Sequence, residues 1–105
     1  MDIVYIHPKI ARFFDSLDGS VRVEADRMIH LLAEKGNGLR PPDSKSLGKG
    51  LFELRVIDQI HVRILFMFHQ GRVVLLHAFI KKTGAIPKRD IEYARRMQRL
   101  CTTLA

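Results

Sequence analysis

The N-terminal third of the chain changes from a strand-like to a helix-like spacing of apolar residues. Residues 3–6 form a short β-branched and aromatic run, which predicts a strand that His7-Pro8 terminates. Apolar residues then recur at helical spacing over residues 10–17 and 21–32, with Asp18-Gly19 between the two segments. This part of the sequence therefore predicts a strand followed by a helical hairpin.

The second half of the chain predicts most of a sheet. Residues 37–50 are rich in Gly, Pro, Ser and Lys, which favours a surface loop. Three strand-like runs follow over residues 51–57, 61–68 and 72–80, joined by connections short enough for antiparallel hairpins. Pro87 suits the first residue of a last helix, whose core side is predicted at Ile91, Ala94, Met97 and Cys101.

These elements predict one α+β domain over residues 1–105, in the order β-α-α-β-β-β-α. The expected architecture is an antiparallel sheet of about four strands with an N-terminal helical hairpin and a C-terminal helix. We expect the helices to cover one face of the sheet and the other face to remain open. That open face is where a functional site is expected.

Strand alternation assigns two arginines to the expected open face. A three-residue loop over residues 58–60 places Arg55 directly opposite Arg63, whereas a two-residue loop would turn Arg63 into the core, where an isolated guanidinium is costly. Two opposed arginines repel each other unless an anion lies between them. Glu53 can supply that anion locally, leaving a solvated sheet face, and a bound phosphate can supply it functionally. As an open-face residue, Arg63 is expected to tolerate replacement by alanine without loss of folding.

The register of the last strand leaves the choice of lysine open. A three-residue turn after Phe68 would put Lys81 on the arginine face, whereas a two-residue turn would put Lys82 there. His77 is the one polar residue inside this apolar strand. It can be a buried structural histidine or an acid–base group.

Charge narrows the range of partners. Eighteen Lys and Arg against eleven Asp and Glu give a formal net charge of +7, which favours polyanions such as nucleic acid. A single cysteine excludes an intramolecular disulfide, and His61, His69 and His77 lack the neighbours of a metal cluster, so no metal or cofactor is expected. The N-terminal residues do not have the pattern of a signal peptide, and the apolar runs are too short to span a bilayer; we therefore expect a cytoplasmic protein with no membrane partner.

The ordered motifs of the second half resemble a known family. Leu51-Phe52-Glu53-Leu54-Arg55, Arg63-Ile64-Leu65-Phe66, residues 73–83 and Ile86-Pro87 with Ile91-Glu92-Tyr93-Ala94 occur in the order typical of it. The combination resembles the phage-derived, HigB-type branch of the RelE/ParE toxin superfamily. Glu53 stands where RelE itself has a basic residue, and Tyr93 lies only near the position of the late aromatic of RelE.

The resemblance implies the toxin of a type II toxin–antitoxin pair. Such a toxin cleaves mRNA during translation in the ribosomal A site and is silenced by a cognate antitoxin, here expected to be of the helix-turn-helix type. The resemblance places Arg55 and Arg63 at strand positions of the basic set, and Lys81 or Lys82 at the position that closes the third strand.

The chemistry of RNA cleavage extends this set. Without a metal ion, cleavage needs positive charge for the transition state and groups that exchange protons. Arginine is too basic for proton exchange, so His77, Glu53, Tyr93, a lysine or ribosomal groups would take that role. The predicted catalytic residues are Arg55, Arg63, Lys81, Lys82 and His77. Predicted RNA contacts, which are equally compatible with a solvated surface, are Lys45, Lys49, Glu53, Tyr93 and Arg95.

Two other functions remain possible from the sequence. A ParE-like gyrase inhibitor would share the architecture, although Arg63 and the Lys81-Lys82 pair argue against it. A noncatalytic nucleic-acid-binding module would fit the net charge, but few aromatic residues are left outside the core to stack on bases.

Overall fold

The computed structural model describes residues 1–82 and 84–104, without the side chain of Leu104. Thr83, which ends the third motif of the resemblance, lies outside the described residues. The strands are β1 (Ile3–Tyr5), β2 (Ser44–Gly48), β3 (Leu51–Ile57), β4 (His61–His69) and β5 (Arg72–Lys81). The helices are α1 (Pro8–Ser16), α2 (Gly19–Lys35) and α3 (Lys88–Leu104), and a single 3-10 turn (Gly36–Gly38) follows α2. The α+β class and the helical hairpin are confirmed.

The sheet has one more strand than predicted and is mixed. Its order is β1-β5-β4-β3-β2, in which β1 runs parallel to β5 and all other pairs are antiparallel. The additional strand β2 lies within residues 37–50, so the prediction of a loop throughout that segment was wrong. The Ser, Lys and Gly residues of β2 are not typical of strands. They are tolerated because β2 lies at the edge of the sheet, next to β3.

Local sequence explains where α1 begins. His7 has an extended backbone, and its Nδ1 accepts a hydrogen bond from the backbone N–H of Lys9 at 3.0 Å. Pro8 follows at the first helical position, where its missing N–H costs nothing. The chain therefore turns from β1 directly into a helix that packs beside β5.

The two faces of the sheet each carry a hydrophobic core. One core packs α1 and α2 against Leu54, Val56, Val62, Ile64 and neighbouring residues. The second packs α3 against Leu51, Leu65, Met67, Val74 and Leu76, with Ala94 fully buried and the other three predicted core positions of α3 partly buried. The expectation that helices cover only one face was wrong, because the apolar residues of α3 close over the opposite face.

The hairpin between β4 and β5 combines features of both predicted registers. Its turn has two residues, Gln70 and Gly71, with φ of 51° and 74°, as a tight hairpin requires. Farther along, Phe66 pairs with Leu75 but Leu65 pairs with His77, so β5 contains one extra residue. The bulge reverses the alternation of side chains in β5. His77, Phe79 and Lys81 therefore lie on the same face as Arg63, as the three-residue turn would have placed them.

No helix within the described residues is both long and apolar enough to cross a membrane.

Candidate functional site

A cluster of three charged residues lies on the face of the sheet that α3 partly covers. Arg55 on β3 is the direct cross-strand partner of Arg63 on β4, which confirms the register predicted from the three-residue loop. Glu53 lies on the same face of β3. One carboxylate oxygen accepts a hydrogen bond from Arg55 Nε at 3.0 Å, and the other is 3.3 Å from Arg63 Nε. Two cations therefore share one anion, and the cluster keeps a net positive charge.

Burial divides the cluster into a covered and an accessible part. The side chains of Glu53 and Arg63 are 3% and 6% exposed, whereas that of Arg55 is 31% exposed. Arg63 is thus not the open-face residue that the sequence predicted: it is buried beside Glu53, on the face of the sheet against which α3 packs. Burial lowers the pKa of the Arg63 guanidinium, while the neighbouring Glu53 opposes that shift.

The hydrogen bonds of the two arginines show which one can receive a ligand. Arg63 donates from Nη1 to the carbonyl of Val62 at 3.2 Å, and its buried Nε has no well-aligned acceptor. Arg55 uses only Nε, and its two terminal nitrogens have no hydrogen-bond partner among the described residues. Arg55 therefore offers the free bidentate edge of the cluster.

The bulge in β5 decides between the two candidate lysines. Lys81 pairs with His61, two positions along β4 from Arg63, and therefore lies on the arginine face. Lys82 follows the end of β5 and is exposed. Both lysines line a shallow cleft together with His61, Gln59, Ile60 and Ile80. The structure thus brings Lys81, rather than Lys82, onto the face of Arg55 and Arg63.

His77 contacts a residue that the sequence did not single out. Its Nε2 lies 2.7 Å from Oδ1 of Asp90 in the first turn of α3. The imidazole stacks on Phe79, with 5.2 Å between ring centroids, and lies 4.8 Å from the ring of Tyr93. Asp90 follows Pro87 by three residues, so it could have been read as a first-turn carboxylate, but nothing in the sequence links it to His77.

The remaining predicted RNA contacts fall into two places. Lys45 on β2 is exposed and pairs with Glu53, so it lies beside the charged cluster. Lys49 lies at the far end of β3, in the turn between β2 and β3, and does not join the cluster. Arg95 on α3 donates to the carbonyls of Leu47 and Gly48 at 3.1 and 3.0 Å, which ties the helix to that same turn.

The outer face of α3 is strongly basic. An open cleft along it is lined by Arg89, Arg96 and Arg99, with Glu92 and Tyr93 between them. Lys9 of α1 and Arg96 lie 4.7 and 5.5 Å from the centre of the Tyr93 ring. This surface adjoins the His77 pair and presents several cations to solvent.

Within residues 1–82 and 84–104, no group of three or more His, Cys, Asp or Glu side chains is placed to hold a metal ion. His61 and His69, two of the three histidines considered as metal ligands from the sequence, lie at opposite ends of β4.

Comparison with known proteins gives one family. The family described as "Phage derived protein Gp49-like (DUF891)" matches residues 12–99, a segment that includes every candidate site residue from Lys45 to Arg95. No curated protein matches the chain.

Proposed function

Because the chain belongs to the Gp49-like family of phage-derived proteins, which are RelE/ParE-like toxins of toxin–antitoxin systems, we propose that it is a ribosome-dependent mRNA endoribonuclease. Cleavage of mRNA stops translation, and the chain would be toxic to the cell for that reason. The finer assignment to the HigB-type branch is part of this proposal.

One observation carries the proposal: the Arg55–Arg63 pair shares a single carboxylate. Among the described residues, Glu53 is the one carboxylate paired with these two guanidinium groups, and Lys81 adds another cation on the same face. A phosphodiester would supply the missing negative charge. Donors held in place before the reaction stabilise the charge that develops on the phosphorus oxygens in the transition state.

The three basic residues have different proposed roles. Arg55 and Lys81 contact the scissile phosphate, because their side chains are accessible on the arginine face. Arg63 lies beneath them and acts through its charge and through Glu53, which fixes the guanidinium of Arg55. Lys82 binds the RNA backbone beside the site rather than the reacting phosphate.

The proposed reaction uses the RNA's own 2′-hydroxyl and needs no metal ion. The 2′-oxygen attacks the neighbouring phosphorus and the 5′-oxygen leaves, so one group must accept a proton and another must supply one. We assign one of these proton transfers to His77, whose imidazole lies on the same face of the sheet as Arg63. The ribosome would hold the mRNA in the geometry for in-line attack.

Binding to the ribosome is proposed for the basic surfaces around the site. The arginines on the outer face of α3 and the exposed Lys45 would contact ribosomal RNA phosphates. Arg95 on the same helix, and Lys49 in the turn between β2 and β3, would contribute to that surface. A cognate antitoxin, proposed to be of the helix-turn-helix type, would cover the same face, and the site of action would be the cytoplasm.

A reconstituted translation reaction tests the proposal. The purified chain is added to ribosomes translating a defined mRNA, and the 5′ ends of the products are mapped by primer extension. Cuts in phase with the codons are expected only when ribosomes translate the message. Cleavage of naked RNA at the same rate would overturn ribosome dependence, and intact mRNA with loss of DNA supercoiling by gyrase would identify a gyrase inhibitor.

Binding of the chain to ribosomes without any cleavage would identify a noncatalytic module. The ribonuclease, the gyrase inhibitor and the noncatalytic module are therefore distinguished by mRNA cleavage, loss of supercoiling and ribosome binding without cleavage, and the same protein preparation serves for all three assays.

A further inference from the structure

The contact between His77 and Asp90 joins the last strand of the sheet to the last helix. The 2.7 Å distance between Nε2 and Oδ1 is that of a strong hydrogen bond, and the two residues come from different elements. A carboxylate accepts hydrogen bonds and does not donate them when ionised. With Asp90 ionised, the proton of this bond lies on Nε2 of His77.

The second ring nitrogen is left available. Nδ1 of His77 has no hydrogen-bond partner among the described residues, and it is not one of their buried unpaired nitrogens. Solvent therefore reaches it. In a neutral imidazole with a proton on Nε2, the lone pair of Nδ1 is free to accept a proton.

The ring is also fixed in orientation. Phe79 stacks against it at 5.2 Å with an interplanar angle of 26°, and Tyr93 approaches it at 4.8 Å and 57°. Asp90 holds the edge of the ring, so three neighbours determine where Nδ1 points. The other carboxylate oxygen of Asp90, Oδ2, lies 4.0 Å from Nε of Arg89, which is at the limit of an ion pair.

A cleft of about 290 Å³ opens beside His77, at the edge of β5 beyond the short strand β1. Its floor is apolar, formed by Ile10, Phe13 and Ala78, and Lys9 and Tyr93 complete the wall. The cross-strand partner of His77 is Leu65, so His77 is a diagonal neighbour of Arg63, at about 7–8 Å between such positions. An RNA strand bound across the arginine face would pass this cleft.

From this geometry we propose that Asp90 is a positioning residue, which holds His77 so that Nδ1 accepts the proton of the attacking 2′-hydroxyl. This inference rests on the proposed nuclease function. As the bond between O2′ and phosphorus forms, the 2′-proton moves to Nδ1 and the bond between phosphorus and O5′ breaks. Water supplies the proton that the 5′-oxygen takes up, and the products are a 2′,3′-cyclic phosphate and a 5′-hydroxyl end.

The first test does not depend on activity. Side-chain nitrogen NMR of the full chain labelled with ¹⁵N-histidine reports which ring nitrogen carries the proton in neutral His77. We expect a protonated Nε2 and an unprotonated Nδ1. A proton on Nδ1 in the wild-type chain would overturn the role of Asp90, whether or not the chain cleaves RNA.

The second test separates positioning from structural support. In the translation reaction, Asp90→Asn is expected to lower kcat by up to about 10²-fold with little change in KM, because a misplaced imidazole no longer meets the 2′-hydroxyl. Glu34→Gln removes an exposed carboxylate on α2, away from the site, and should leave kcat unchanged. An Asp90→Asn chain with wild-type kcat would contradict the proposal.

Chemical rescue tests the role of His77 itself. His77→Ala opens a space beside the cleft, and added imidazole is expected to restore cleavage in proportion to its concentration. If the His77→Ala chain is folded and added imidazole does not restore cleavage, the proposed proton transfer to His77 is contradicted. If the wild-type chain cleaves no mRNA under any condition, the proposed function fails, while the NMR experiment still decides how Asp90 holds the ring.

Discussion

Arg55 and Arg63 face each other across adjacent strands, yet they differ fivefold in exposure because only Arg63 is enclosed beside Glu53. The carboxylate links them by giving one oxygen to each. The repulsion of an opposed arginine pair is thereby reduced without being cancelled. The cluster combines a buried support with one accessible guanidinium.

Replacing Glu53 tests how strongly the cluster depends on its single anion. Glu53→Gln leaves the buried Arg63 guanidinium without a charge partner, and we expect the free energy of unfolding to fall by about 3 kcal/mol. Urea denaturation measures the change. Glu24→Gln is the matched control: it breaks a surface pair with Arg27, which is 59% exposed, and should cost less than about 1 kcal/mol. Equal losses in the two variants would contradict the account.

The arginines themselves should differ in their effect on stability. Arg63→Ala is expected to destabilise the fold by about 1–3 kcal/mol, because one oxygen of the buried Glu53 carboxylate loses its partner. Arg55→Ala should cost less than about 1 kcal/mol, since its side chain is partly solvated. Thermal and urea unfolding of the two variants check the order. An Arg63→Ala chain as stable as the wild type would restore the sequence-based expectation.

Arg95 should matter for the attachment of α3. Its guanidinium donates to the carbonyls of Leu47 and Gly48, so Arg95→Ala is expected to cost about 1–3 kcal/mol and to increase hydrogen exchange in α3. The neighbouring Arg99 is exposed and makes no side-chain hydrogen bond among the described residues. Arg99→Ala should therefore leave both measurements unchanged, and identical effects would disprove the anchor.

Acid should weaken one contact between α2 and the loop that joins β3 to β4. Ser20 donates to Asp58 at 2.6 Å, and this bond, together with the backbone N–H of Gln59, lowers the pKa of Asp58 from its ordinary value of 3.8. Because the folded pKa lies below the unfolded one, the stabilisation is present above pH 3.8 and is lost as the pH falls through the folded pKa. Ser20→Ala should remove this part of the pH dependence. Unfolding curves of both chains with identical acid limbs would contradict the assignment.

The sequence predicted the parts of the fold that depend on local pattern. Apolar periodicity placed the helices and the three long strands, and the cost of burying an unpaired guanidinium selected the pairing of Arg55 with Arg63. The strand β2 escaped prediction because edge strands need neither apolar nor β-branched residues. The packing of α3 on the second face of the sheet was not predicted, because the apolar pattern of a helix does not determine which face of a sheet it packs against.

The candidate site was predicted less completely than the fold. The bulge at Leu76 places Lys81, and not Lys82, on the face of Arg55 and Arg63. The sequence of an apolar strand does not show where a bulge occurs. The contact between His77 and Asp90 joins residues 13 positions apart through tertiary packing alone. The sequence also placed Arg63 on an open surface, because strand alternation predicts a face and not what packs against it.

The central claim is that Arg55 binds the scissile phosphate of an mRNA on the ribosome. The most direct test is 5′-end mapping in the translation reaction with the wild type, Arg55→Ala and Arg12→Ala. Arg12 is an exposed arginine on α1, so its replacement removes the same charge at a distance from the site. We predict codon-phased cuts by the wild type and by Arg12→Ala, and a loss of about 10²- to 10³-fold in rate for Arg55→Ala. Unchanged cutting by a folded Arg55→Ala chain would contradict the account.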